Sequence, residues 1–534
     1  MANKTLFNST RGRLAPKADT TNEAGGRAYS LDAKHALAQL AATGCLNQTF
    51  YASPTDQLNE VLNLCENIEP EFIARIALYA RSKGHMKDMP ALLCAVLSVK
   101  SPGLLAEIFD RVIDNPRMLR NFVQIMRSGV VGRKSLGSLP KRLVLQWLEN
   151  RTDKQLFYGS VGNDPSLADV VKMVHPKPSS KSRAALYGYL IGRDFVEADL
   201  PDIVLQYIKF KRNTNDCEPK ALASGQRAVP DVPFQLLTAL PLNNKDWKQI
   251  ARNAPWQMTR MNLNTFMRHD VLKDPEMVSL IANRLRNPRL IEKARVFPYQ
   301  LLVAYQNVGS QVPNEIQEAL QDAMEISINN VPRIDGKVYV FVDVSGSMHC
   351  SVTGYRQGSS SKVRCIDVAA LVGAAIKRKN RDAEIIPFES KAITNFKLNP
   401  RDSVMTNAQK LTNLPAGGTN CSAPLEYLNR QKASGDMIIY VSDNESWMDS
   451  PHYGRFGGQS ATKTMTEWSK FKSRNANAKM ICIDIQPYTT TQAKERRDIV
   501  NVGGFSDKVF DLIAAVAEGG TSGHWVDVIE KETI

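Results

Sequence analysis

The sequence contains no CxxC pair. Its eight cysteines, Cys45, Cys65, Cys94, Cys217, Cys350, Cys365, Cys421 and Cys482, are spread over 534 residues. Most lie in apolar runs such as Leu62 to Cys65 and Leu92 to Val96. A CxxC motif is excluded, and the pattern reads as buried free thiols in a reducing compartment. Nowhere do about 18 apolar residues run together, the length a membrane-spanning helix needs. Met1 to Arg13 also lacks the apolar h-region of a secretory leader, so a cytoplasmic protein with no membrane partner is expected. Low hydrophobicity is absent too: 43% of residues are apolar and 23% charged, which excludes bulk disorder and fibrous structure. At roughly 150 residues per domain, the length allows two to four domains, each with its own core.

What the chain does have is excess positive charge, with 68 Lys and Arg against 54 Asp and Glu. Such an excess favours polyanions, and its distribution locates it. From Lys337 onward there are 25 basic and 21 acidic residues, net +4, whereas the stretch before holds 43 and 33, net +10.

Two periodicities divide the chain. From about Ser30 to Met324 the pattern is helical: in Pro70 to Ser82, Phe72, Ile73, Ile76, Tyr79 and Ala80 share one face, and Gly84 follows as a stop. Pro54, Pro70, Pro90, Pro102, Pro116, Pro140 and Pro165 recur where a first helical turn tolerates proline. Short helices at this pace, with no strands between them, predict antiparallel pairs stacked as in HEAT-like solenoids. At Asp335-Gly336 the period changes. Lys337 to Val342, Ala383 to Phe388, Met437 to Val441 and Met480 to Ile485 read as strands, with helices at Cys365 to Lys379 and Thr462 to Ser473. This alternation predicts a parallel sheet covered on both faces, with functional groups at the carboxyl ends of its strands.

Those strand ends carry the chemistry. Asp343, Ser345 and Ser347 follow the first strand, Thr419 sits on the Gly417-Gly418 loop, and Asp443 follows a later strand. Two carboxylates and three hydroxyls form an all-oxygen set suited to a hard cation, Mg²⁺ or Mn²⁺, that keeps some water. The rival reading has the serines capping a helix and Asp443 bonded to the glycine loop. His349, on the same loop as Ser347 and Asp343, does not make a triad, because the base would have to approach from elsewhere in the fold. Gly129 to Ser135 has too few residues between its glycines for a phosphate-binding loop, so no nucleotide site is expected.

The segments Val342-Asp343-Val344-Ser345-Gly346-Ser347-Met348, Ala416 to Ser422 and Ser442-Asp443-Asn444-Glu445 resemble the metal-ion-dependent adhesion site of von Willebrand factor A domains, in the form found in Ro autoantigen proteins. Gly25-Gly26, Lys87 to Pro90, Gly132 to Ser135 and His175-Pro176-Lys177-Pro178-Ser179-Ser180 resemble the TROVE module that precedes that domain in the same family. The resemblance implies a multidomain protein. Residues 1–24 would be an N-terminal segment, 25–335 an all-α HEAT-like helical-repeat ring, and 336–534 an α/β, Rossmann-like von Willebrand factor A domain closing it. It further implies binding of small structured non-coding Y-type RNA on a basic outer surface and of the single-stranded 3′ ends of misfolded RNA in a central hole. RNA quality control or processing beside a 3′-to-5′ exoribonuclease would follow.

By this resemblance His175 is the leading RNA contact, with Lys177 beside it. Pro176 and Pro178 would end a helix there and leave both exposed. Arg120, Arg127, Arg133, Lys134, Lys141 and Arg142 form a second basic run. Lys134 lies in a glycine-rich turn, and Lys141 and Arg142 are read as opening a helix, where cations oppose the dipole and point to an external anion. Tyr158 to Asp164, where eukaryotic relatives place basic residues, has none. Trp447, Tyr453, Arg455 and Phe456 form an aromatic loop that could stack bases or hold a partner. The sequence thus reads as an RNA-binding scaffold and not an enzyme. Its rivals are a metal-dependent protein-interaction adaptor and, last, a metal nuclease, which would need clustered carboxylates that are absent.

Overall fold

The computed structural model of the chain describes residues 15–44, 46–162, 165–215, 228–294, 298–328, 331–355, 363–446, 461–503, 508–518 and 525–534. They fall into two compact units: residues up to 86 with 298–303 and those of 324–533, and those of 87–294 with 304–323.

The first unit is built on a five-stranded parallel sheet of order β4-β3-β5-β6-β8, where β3 is Val338–Asp343, β4 Glu384–Phe388, β5 Met437–Ser442, β6 Lys479–Asp484 and β8 Ile499–Gly503. Every residue of β3 and β5 is buried, as continuous apolar strands covered on both faces should be. Helix Cys365–Lys379 is buried from Cys365 to Ile376 and lies so close to β3 that a Cβ on Gly373 would meet Val342 Cγ2 at 2.8 Å. Because the chain leaves β3 for β4 on one side and returns to β5 on the other, the order reverses at β3. The crevice beyond the ends of β3 and β5 is the place where such sheets bind ligands.

Upstream residues complete this unit. The short strands β1 (Thr20–Thr21) and β2 (Arg27–Ser30) pair with each other and with β7 (Thr490–Thr491) in a small antiparallel sheet. Tyr29, fully buried, bonds the Pro16 carbonyl at 2.6 Å and accepts from Thr462 N at 3.3 Å. Gln48 forms a two-bond bridge with Tyr355, and Lys34 pairs with both Glu69 and Glu530.

The second unit is helical throughout its described residues. Asp88–Lys100 is its most enclosed helix, with Met89 to Ser98 all buried, and it packs against Pro102–Val112 and Pro116–Ser128. Prolines do begin helices: Pro102 and Pro116 here, like Pro54 and Pro70 in the first unit, stand in the first turn. Pro90 and Pro140 fall at the third helical residue, and Pro165 precedes the N-cap Ser166 of helix Leu167–Val174. All these positions tolerate proline because the first-turn N–H groups have no intrahelical acceptor.

Candidate functional site: an oxygen-lined pocket and a basic helical face

The fold brings Asp343, Ser345, Ser347 and Asp443 together at the switch point and ties the loop bearing Thr419 to them. Asp343 ends β3, Asp443 follows β5, and Gly346 N donates to Gly417 O at 2.9 Å, tying the serine loop to the loop that carries Thr419. Asp343 Oδ2 accepts from Ser442 Oγ at 2.6 Å and Oδ1 from Ser345 N at 2.9 Å, while Ser345 Oγ and Ser347 Oγ stand 3.3 Å apart. Ser347 also hydrogen-bonds Asp443, whose Oδ1 accepts from Glu445 N at 3.3 Å. None of Asp343, Ser345, Ser347, Thr419 and Asp443 exceeds 4% exposure.

Burial pushes the carboxyls of Asp343 and Asp443 up, and Asp443 adds repulsion on Asp343; hydroxyl and backbone hydrogen bonds partly oppose this. Glu445 and Asp484 are pushed up by burial and then by Asp443. Two buried like charges among hydroxyls are what a small divalent cation would relieve, so the donor set fits one. Among the described residues no three His, Cys, Asp or Glu side chains converge as ligands, so a zinc-type cage is not built.

One member of the pocket escaped the sequence reading. Tyr51, from the loop before helix Pro54–Asn67, hydrogen-bonds Ser347, and burial pushes its hydroxyl pKa up. Its ring meets Tyr488 edge-on at 5.9 Å, and Tyr488 in turn bonds Thr49 at 3.3 Å. Glu445 Oε2 accepts from Ala24 N at 3.1 Å, and Asn22 Nδ2 donates to Ser446 O at 3.1 Å. Upstream chain therefore closes over the strand ends. His349 is engaged by another residue: its Nδ1 lies 3.1 Å from Arg364 Nη1. Trp447, Tyr453, Arg455 and Phe456 lie outside the described residues.

The basic candidate residues belong to the second unit, where 87–296 and 304–323 together hold 33 Lys and Arg against 23 Asp and Glu. His175 is exposed and ends helix Leu167–Val174 in a left-handed conformation, φ 54°, its N–H bonded to Val171 O at 3.0 Å. Lys177 is exposed just beyond, ahead of helix Lys181–Ile191. Between helices Pro116–Ser128 and Ser138–Glu149, Gly129, Gly132 and Gly137 have φ of 87°, 80° and 74°, a left-handed turn that suits glycine. Exposed Lys134 folds over Gly129, and half-buried Arg133 lies beside Gly137. Arg127, Lys141 and Arg142 are exposed. Lys141 and Arg142 do not open their helix; it begins at Ser138, so they are its fourth and fifth residues and the dipole opposes them less. Arg120 is turned inward: its Nη1 donates to Pro165 O at 3.4 Å, and its guanidinium covers Gly162. Among the described residues Arg133, Lys134, Lys141, Arg142 and Lys177 form no ion pair.

Residues 337–517 match the family model described as the Ro60 vWA domain. The chain is 22% identical over 524 residues to the RNA-binding protein RO60 of Deinococcus radiodurans, covering 93% of this chain and 95% of that protein. It is 26% identical over 191 residues to the RNA-binding protein RO60 of Caenorhabditis elegans, 34% of this chain and 28% of that one. Among solved structures, the Deinococcus radiodurans RO (RSR) protein aligns with a TM-score of 0.60 and 19% identity, covering 92% of this chain and all of that chain.

Proposed function

We propose, from the premise that this is a Ro-type chain whose C-terminal domain is a Ro60-type von Willebrand factor A domain, that the protein is an RNA-binding scaffold and not an enzyme. The observation that carries this is the set of exposed cations that, among the described residues of the second unit, have no acidic partner: Lys134 on the glycine turn, Lys141 and Arg142 on the helix after it, and Lys177, with His175 and Arg127 also exposed. A surface that leaves cations unneutralised gains free energy by taking up phosphates and releasing counterions. Small, structured, Y-type RNA is the ligand we assign to this face, read mainly by backbone charge and shape. Single-stranded 3′ ends of misfolded RNA are the second ligand, which places the protein in cytoplasmic RNA quality control beside a 3′-to-5′ exoribonuclease. The oxygen-lined pocket holds Mg²⁺ or Mn²⁺ through Asp343, Ser345, Ser347, Thr419 and Asp443, and the cation neutralises the buried carboxylates. For a protein-interaction adaptor, a partner's carboxylate would have to reach that cation, which requires the segment bearing Tyr51 to leave Ser347.

The test is RNA recovered with the protein from cells, sequenced, and then bound back to purified protein with and without its single-stranded tail. A structured small RNA should dominate, and changing His175, Lys177 and Lys134 together to Ala should weaken its binding while the melting temperature stays put. Unchanged affinity would show that the face is wrong. RNA cleavage that requires Asp343 would replace the scaffold reading with an enzymatic one.

A further inference from the structure

Two thiols stand opposite each other in the first unit, beyond the serine loop. Ser351 and Arg364 form an antiparallel bridge, flanked by Val352 N donating to Val363 O at 2.9 Å and Cys365 N donating to Cys350 O at 3.0 Å. Cys350 and Cys365 are the next pair in that register. Directly opposed residues at the hydrogen-bonded position of an antiparallel pair have Cα atoms about 5.5 Å apart, inside the range a disulfide spans. Their sulfurs are 3.9 Å apart, so closing to the roughly 2.05 Å of an S–S bond needs a rotamer adjustment and no rearrangement of the chain.

The two differ in access. Cys365, the first residue of helix Cys365–Lys379, is 1% exposed, whereas Cys350 is only partly buried and is the one such cysteine among the described residues. Cys350 Sγ also reaches Gln486 Oε1 at 3.4 Å, which holds the thiol in place, and its N–H bonds Ser347 O at 3.1 Å at the end of the serine loop. Cys65, Cys94, Cys421 and Cys482 are all buried.

We propose that Cys350 and Cys365 form a reversible redox pair that a hydroperoxide oxidises to a disulfide. The Cys350 sulfur attacks the peroxide: an S–O bond forms and the O–O bond breaks. The departing oxygen leaves as water, or as an alcohol from an organic peroxide, with the thiol's proton. The Cys365 sulfur then displaces the hydroxyl of the Cys350 sulfenic acid; the S–S bond forms, the S–O bond breaks, and water leaves with the second proton. The two thiols lose two electrons and the peroxide gains them. A dithiol returns the pair by exchange. Oxidation would staple the end of the Asp343–Ser347 loop to the start of the helix beneath it. The pair rests on sulfur geometry, so its failure would leave the RNA and cation readings standing.

The experiment is limited hydrogen peroxide treatment of the native full-length protein, alkylation of the remaining thiols, digestion and mass spectrometry. The expected result is a cross-linked peptide pair holding Cys350 and Cys365, with both thiols lost to alkylation and both recovered after dithiothreitol. In Cys365→Ser, Cys350 should stop at the sulfenic acid and take up dimedone, a signal much weaker in the wild type; in Cys350→Ser, Cys365 should stay alkylatable. Both thiols surviving peroxide, or Cys350 pairing with a different cysteine, would overturn the proposal without recourse to any variant.

Discussion

Asp343 has no exposed surface and faces a second buried carboxylate, Asp443, so ionising either costs free energy that hydroxyl and amide hydrogen bonds only partly offset. Glu445 and Asp484 are raised in the same direction, and burial lifts Glu495, bonded to Asn501 N at 2.8 Å, to about 7. An acid whose folded pKa exceeds its unfolded value takes up a proton on folding. Its contribution to stability is therefore present at low pH and lost as pH rises from the ordinary carboxylate value, about 4, through the raised one. Asp56, Glu69 and Asp169 shift the other way and matter only below about pH 4. In chelator, thermal denaturation should show the melting temperature falling as pH goes from about 4 to about 7. Mg²⁺ or Mn²⁺ should raise it again near neutrality. Asp343→Asn should flatten the pH trend and abolish the cation response; a wild type indifferent to the cation would sink the metal assignment. The meeting of these residues was legible because Asp343, Ser345 and Ser347 share a loop and Thr419 follows paired glycines, a local pattern. Tyr51 was not, since nothing around Phe50-Tyr51 marks it and only tertiary packing brings it to Ser347.

At the scale of elements, helix Leu167–Val174 has eight residues, too short to persist on propensity alone. Its start is held by a capping box: Ser166 Oγ accepts from Asp169 N at 3.1 Å, and Asp169 Oδ2 accepts from Ser166 N at 2.9 Å. Its end is the left-handed His175. Ser166→Ala should cost about 0.5–2 kcal/mol. Because the loss is local, amide exchange should quicken across 167–175 while the protection of β3 and β5 stays unchanged; a uniform loss would mean that the cap supports more than its own helix. Apolar periodicity and leading prolines made many helices readable, and continuous apolar runs made β3, β5 and β6 readable. Strand β8 was hidden because Asn501 interrupts its apolar run. Inside the fold that side chain donates to Ala493 O at 2.9 Å and to Glu495 Oε2 at 2.7 Å, which pays for its burial but leaves no local signature. Strands β1 and β7, two residues each, exist only through pairing with β2.

Over the whole molecule, most of the excess charge sits in the unit that lacks the sheet: 33 cations against 23 anions over 87–296 and 304–323, in a chain of net +14. The sequence placed that excess in the helical half, but not that residues before 86 fold with the sheet, because their helical period conceals the pairing of β2 with β7. This partition makes salt dependence informative about location. Each phosphate neutralised in duplex RNA or DNA adds roughly 0.9 to the slope of log affinity against log salt, by the B-form value, and a single strand about 0.7. Replacing Lys134 and Lys177 together by Ala should therefore lower the slope for a structured RNA by about 2, because each lysine is exposed and free to meet a phosphate. Replacing Lys337 and Lys377 in the sheet unit should leave it unchanged, since Lys337 pairs with Glu384 at 3.3 Å and Lys377 bonds the carbonyls of Arg381 and Ala383. Titrations of labelled RNA across a salt series measure both slopes. Equal reductions from the two pairs would mean that RNA responds to the net charge of the chain; a drop confined to Lys134 and Lys177 would fix the contact on the glycine turn and the His175 segment.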